Sequence, residues 1–176
     1  MLIFKLPPLT AIQLVLINLL TDSTTVISLT LEKSEKSVMK QKPLALSGHL
    51  FSSGAVINIV CDALIISVLT IVSSLIGGGT MAFSTLALTQ IFHSFNHKTH
   101  DSLIKADFKS NKFMNISSLI TLSFVILLVT TPVGILFGIS RLTLNKFLLS
   151  ILLSILIVPL CEIKKLASRE IAKKVF

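Results

Sequence analysis

Five apolar runs divide this chain, each near or above the roughly 18–20 residues that carry a helix across a bilayer. The corresponding helices are expected at about 9–31, 50–76, 80–97, 113–137 and 143–166. Hydrocarbon offers no partner to an unpaired backbone amide or carbonyl, so each run must satisfy its own backbone as a helix. The expected fold class is therefore all-α: an integral membrane bundle of five transmembrane helices forming a single domain over residues 1–176. Composition agrees, with 52% apolar residues, 14% charged residues and a mean hydropathy of +0.89.

The net charge of +8 does not point to nucleic acid. The basic residues stand in the connections between apolar runs rather than across a polar surface, as the positive-inside rule describes. Lys33, Lys36, Lys40 and Lys42 follow the first run, and Lys98, Lys105, Lys109 and Lys112 follow the third. Lys164, Lys165, Arg169, Lys173 and Lys174 follow the fifth, while only Lys5, Arg141 and Lys146 fall on the other side. That asymmetry places the N-terminus outside and the C-terminus in the cytoplasm. The glycines of "GGG" (77–79) then form a turn between the second and third helices. Lipid is the expected surrounding. Trp and Tyr are absent, so the usual interfacial aromatic belt is missing despite eleven Phe residues. A signal peptide is not expected, because the first run is too long and no small-residue cleavage site follows it.

Polar side chains inside the runs carry the chemistry. "LINLLTDSTTVISL" (16–29) sets Asn18, Thr21, Asp22 and Thr25 at i, i+3, i+4 and i+7, the spacing of one helical face. A carboxylate, an amide carbonyl and two hydroxyls together suit a hard cation such as Ca²⁺, which takes six to eight oxygen ligands. A charge at bilayer depth costs at least ~2.5–3.5 kcal/mol, so Asp22 is expected to have a partner or a function. The alternative is that Asp22 pairs with a neighbouring helix and only holds the bundle together.

Gln90, His93 and His97 repeat the pattern on the third helix at i, i+3 and i+7, and Gln90 is positioned to face Asp22. His93, His97 and His100 stand either as a transition-metal site or as a helix end emerging into water, where histidines complement the dipole. Asp62, one turn after Asn58, reads equally as a structural partner or an ion-handling group. Glu162 is expected to pair with Lys164 and Lys165, and Pro132 and Pro159 to kink or end their helices. Cys61 and Cys161 form no CxxC and carry no redox reading. No GxxxxGK[ST], GxSxG or HExxH occurs.

These stretches resemble the sixth to tenth membrane helices of type II P-type ATPases, the calcium pumps and their relatives. "PLTAIQLVLINLLTDS" resembles the sixth helix, and "LEKSEKSVMKQKP" the cytoplasmic loop that follows it. "TMAFSTLALTQIFHSFN" is similar to the eighth helix, and "SLIKADFKSNKFM" to the approach to the ninth. "LTLNKFLLSILLSILIVPLCEIKK" resembles the tenth, and together the patches cover nearly the whole chain.

The resemblance implies that Asn18 and Asp22 are cation ligands and that Thr21 matches a third ligand of two-site pumps. Gln90 takes an eighth-helix position that is acidic in two-site pumps, so a single-site pump is implied. The Lys-rich loop at 32–43 would couple the membrane helices to a phosphorylation domain. Where the family usually has a Leu-Pro pair that helps keep the sixth helix unwound, this chain has Thr24-Thr25. No DKTGT occurs, and the expected product is the C-terminal membrane block of a split or decayed pump in a bacterial cell membrane. ATP and Mg²⁺ would then act only through domains outside it, in a partner supplying the N-terminal part. Two other functions stand beside this one: a non-catalytic scaffold or regulatory remnant, and a small secondary transporter using Asp22 and Asp62.

Overall fold

The computed structural model describes residues 9–31, 53–97 and 111–175, and within them the regular structure is all helical, with no strand. The helices are α1 (Ala11–Ile17), α2 (Ser23–Thr30), α3 (Ser53–Gly77), α4 (Gly79–His97), α5 (Lys112–Thr130), α6 (Leu144–Ile155) and α7 (Ile157–Val175). A π-helical turn, Asn18–Asp22, joins α1 to α2, and a 3-10 turn, Pro132–Phe137, follows α5. The Lys-rich loop at 32–43 and the whole 98–110 connection, His100 included, lie outside the described residues.

Local chemistry sets the ends. Thr10 caps α1 through a reciprocal box, its hydroxyl accepting from Gln13 N and the Gln13 side chain accepting from Thr10 N at 3.0 Å. The other end of the Gln13 amide donates to Gly138 O at 2.8 Å, tying α1 to the turn before α6. Helix α5 stops at Thr130 rather than running to 137, because Pro132 has no N–H to continue the ladder. Thr131 closes that end, its hydroxyl donating to Leu127 O at 2.6 Å. The last rod breaks at Leu156, three residues before Pro159, and resumes as α7.

The three glycines make the α3–α4 turn as tight as a chain allows. Gly77 ends α3, Gly79 opens α4, and Gly78 between them has φ +78°, a region open to glycine at little cost. A Cβ at Gly77 would fall 2.3 Å from Met81 Sδ, so the close approach also needs a missing side chain.

Among the described residues, four rods are long and apolar enough to cross a membrane: Ala11–Ser28, Val56–Gly77, Lys112–Thr130 and Leu144–Leu166. Their outer surfaces expose Leu19, Leu64, Leu119 and Leu144, an apolar coat suited to lipid and hazardous in water. Helix α4 is different in kind. Met81, Ala82, Ser84, Thr85 and Thr89 on it are fully buried, and it packs against α1, α3, α5, α6 and α7. Its polar side chains lower its hydropathy, and the surrounding helices rather than lipid receive them.

Small hydroxyls form the contacts. Ser73 and Thr85 meet at 2.6 Å, Ser84 and Ser150 at 3.0 Å, and Ser154 donates to Thr85 O at 3.1 Å. Lipid removes the hydrophobic drive between helices, so close packing by small residues and such hydrogen bonds does the joining. Ser84→Ala is expected to cost about 0.6 kcal/mol, the mean for an interhelical hydrogen bond in a membrane protein. Gly78→Ala is expected to cost more, about 1–2 kcal/mol, through its left-handed backbone. Unfolding by SDS titration from mixed micelles measures both, and the reverse order would disprove this account of the turn.

Candidate cation site

The π turn lies on the segment richest in oxygen ligands. Ser23 N donates to Asn18 O, five residues back, so one extra residue is held in the turn. Hydroxyls line it. Thr21 Oγ1 donates to Ile17 O at 2.7 Å, the Leu20 carbonyl receives Thr24 Oγ1, and Thr121 Oγ1 of α5, which donates to Ser117 O at 2.9 Å, also lies 3.3 Å from Leu20 O. Thr24 and Thr121 also meet at 3.1 Å. Asn111, which caps α5, donates to Ser28 O at 2.8 Å and fixes the far end of α2. No proline is present here; threonine hydroxyls attend the irregular backbone instead.

Thr21 is buried and hydrogen-bonded to Gln90 of α4. A hydroxyl has one proton to give. In this structure that proton faces two acceptors, Ile17 O and Gln90 Oε1. Gln90 therefore meets Thr21, while the side chains of Asp22 and Thr25, like that of His97, lie outside the described residues. Asn18 is exposed. The i, i+3 spacing of Asn18 and Thr21 would share a face in an α-helix. A π turn holds more residues, so each side chain advances by a smaller angle and three positions fall short of a full turn.

A second polar cluster stands between α3, α4 and α7, and it gathers residues that the sequence left apart. Asp62 is buried and ion-paired with Lys164, whose ammonium also lies 3.5 Å from Asn58 O. His93 Nε2 lies 3.9 Å from Asp62 Oδ2, and Cys161 Sγ lies 3.6 Å from Asp62 Oδ1 and 3.7 Å from His93 Nδ1. His93 is thus half-buried against two other helices, not a helix end emerging into water. Lys165 takes the pairing expected for Glu162, at 3.6 Å, and donates to Asn96 O at 3.0 Å, while Lys164 turns to Asp62. The sequence left Asp62 open between structural pairing and ion handling; nothing in it signalled Cys161, because a cysteine in an apolar run looks like any small core residue.

Residues 6–167 match the family described as "Cation transporting ATPase, C-terminus". The chain is similar to calcium-transporting ATPase 1 of Bacillus cereus, 30% identical over 92% of this chain and 21% of the relative. It is similar to calcium-transporting ATPase 1 of Lactococcus lactis, 33% identical over 61% of this chain and 13% of the relative. The calcium-transporting ATPase of Bacillus subtilis is 30% identical over 62% of this chain and 13% of its own length. The chain thus spans at most about a fifth of the curated relatives it matches.

Thr21→Val keeps the shape and removes the hydroxyl. It is expected to lower stability by about 1–3 kcal/mol by stranding the Gln90 amide, whereas Thr21→Ser restores most of it. SDS-titration midpoints of the two variants measure the difference; equal midpoints would contradict the Thr21–Gln90 contact.

Proposed function

Since this chain belongs to the family of C-terminal membrane regions of cation-transporting ATPases, we propose that it supplies part of the intramembrane site of an ATP-driven pump, with Ca²⁺ as cargo. The observation that carries the reading is the π turn over Asn18–Asp22, set against Gln90 of the enclosed helix α4. A π turn leaves backbone carbonyls out of the regular ladder, and such turns recur at functional sites. Carbonyl, hydroxyl and amide oxygens, with the Asp22 carboxylate, are the hard donors that Ca²⁺ prefers.

Asn18, Thr21, Asp22 and Gln90 are the proposed ligands. One carboxylate and one neutral Gln favour a single divalent ion over two. The chain itself carries out no phosphoryl chemistry. ATP and Mg²⁺ would act in a nucleotide-binding portion, and the Lys-rich stretch at 32–43 would meet that portion on the cytoplasmic side. A bacterial cell membrane, with the N-terminal side of α1 facing outward, is the proposed setting.

Co-expression with the N-terminal portion of a calcium-transporting ATPase, followed by reconstitution into proteoliposomes, tests the assignment. Wild-type chain is expected to give ATP-dependent Ca²⁺ uptake, and Asp22→Asn to reduce it at least about 100-fold, in line with loss of a charged ligand worth several kcal/mol. High-affinity uptake retained by Asp22→Asn would reject the ligand set.

A further inference from the structure

The Asp62, His93 and Cys161 side chains converge from three different helices, and their ligand atoms all lie within 4.8 Å of one another. We propose that this triad is a second metal site, distinct in position and donor chemistry from the Asn18–Gln90 segment, and that it takes a borderline divalent transition metal of the Zn²⁺ type.

Donor chemistry selects the ion. Sulfur, imidazole nitrogen and one carboxylate oxygen are a set that Zn²⁺ and Co²⁺ accept and that Ca²⁺ or Mg²⁺, which want oxygen, do not. The spacing also fits. With Zn–S of about 2.3 Å and Zn–N of about 2.0 Å, neighbouring ligands in a tetrahedron stand about 3.5 Å apart. The sulfur-to-oxygen and sulfur-to-nitrogen distances are 3.6 and 3.7 Å. His93 turns Nδ1 to the thiol and Nε2 to the carboxylate, so small ring and rotamer adjustments bring one nitrogen, the sulfur and one oxygen onto a common centre. Three protein ligands leave a fourth position for water or another side chain. Asn96, one turn beyond His93 on α4, is buried with its amide unpartnered among the described residues.

Lys164 is the rival ligand of Asp62. Its ammonium occupies the carboxylate in this structure, with Asn58 O at 3.5 Å as a second acceptor. Binding M²⁺ would convert the Cys161 thiol to thiolate and release one proton to solvent. Lys164, partly exposed, would leave Asp62 and keep its contact with the Asn58 carbonyl. The cluster thus has two closed arrangements: a lysine lock between α3 and α7, and a metal clasp that adds α4.

The full chain, purified in detergent and stripped with chelator, is titrated with Co²⁺ under reducing conditions. The expected result is one equivalent bound, with a thiolate-to-cobalt charge-transfer band in the near ultraviolet that Zn²⁺ bleaches. Cys161→Ser is expected to abolish the band, and Asp62→Asn and His93→Gln each to weaken binding more than about tenfold. Cys61→Ser is expected to change nothing, and Lys164→Met to tighten binding by removing the competitor. Absence of the band in the wild-type chain would overturn the proposal and leave only the lysine lock. So would a band that survives Cys161→Ser or disappears with Cys61→Ser.

Discussion

Helix α4 sits at the centre of this bundle through three hydroxyls that its neighbours answer, those of Thr80, Ser84 and Thr85. In lipid, apolar side chains gain nothing by leaving hydrocarbon for one another, so contact must come from fit and polar pairing. Ser84 to Ser150, Ser73 to Thr85 and Thr21 to Gln90 each join α4 to a different rod. Remove α4, and α1, α6 and the second half of the last rod lose their common partner. The same helix holds Gln90 against the π turn and His93 against Asp62, so both polar clusters rest on one buried scaffold.

The two clusters obey different electrostatics. Around the π turn the described groups are neutral dipoles that hold no charge of their own. Around Asp62 a full carboxylate is compensated by a full ammonium from Lys164. A buried charge without a partner is strongly destabilising, which is why Lys164 reaches across to α3 while the adjacent Lys165 serves Glu162 on its own helix.

Much of the architecture was legible from residues alone. Apolar run length and the breakers between runs indicated an all-helical membrane protein, since hydrocarbon admits so few alternatives. The quoted stretches around Asn18 and Gln90 pointed to the family that the comparisons identify. The π turn was not legible, because Thr24 and Thr121 act on the Leu20 carbonyl through tertiary contact rather than through any local signal such as proline. The end of α5 at Thr130 was blurred for the opposite reason: hydropathy continues through Val133 to Phe137, and only the missing N–H of Pro132 divides the two. The grouping of Asp62, His93 and Cys161 depends on how three helices cross, which spacing within any one of them does not encode.

The extra residue held between Asn18 and Asp22 behaves as slack in an otherwise taut rope. A bulge of this kind can migrate along its helix while both ends stay anchored. Each position it passes is re-addressed by one residue's rotation, about 100°. A side chain that looked outward then looks inward, with no displacement of the flanking segments. The Thr10 box anchors this rod at one end and Asn111 at the other, so the spare residue is held between two fixed points.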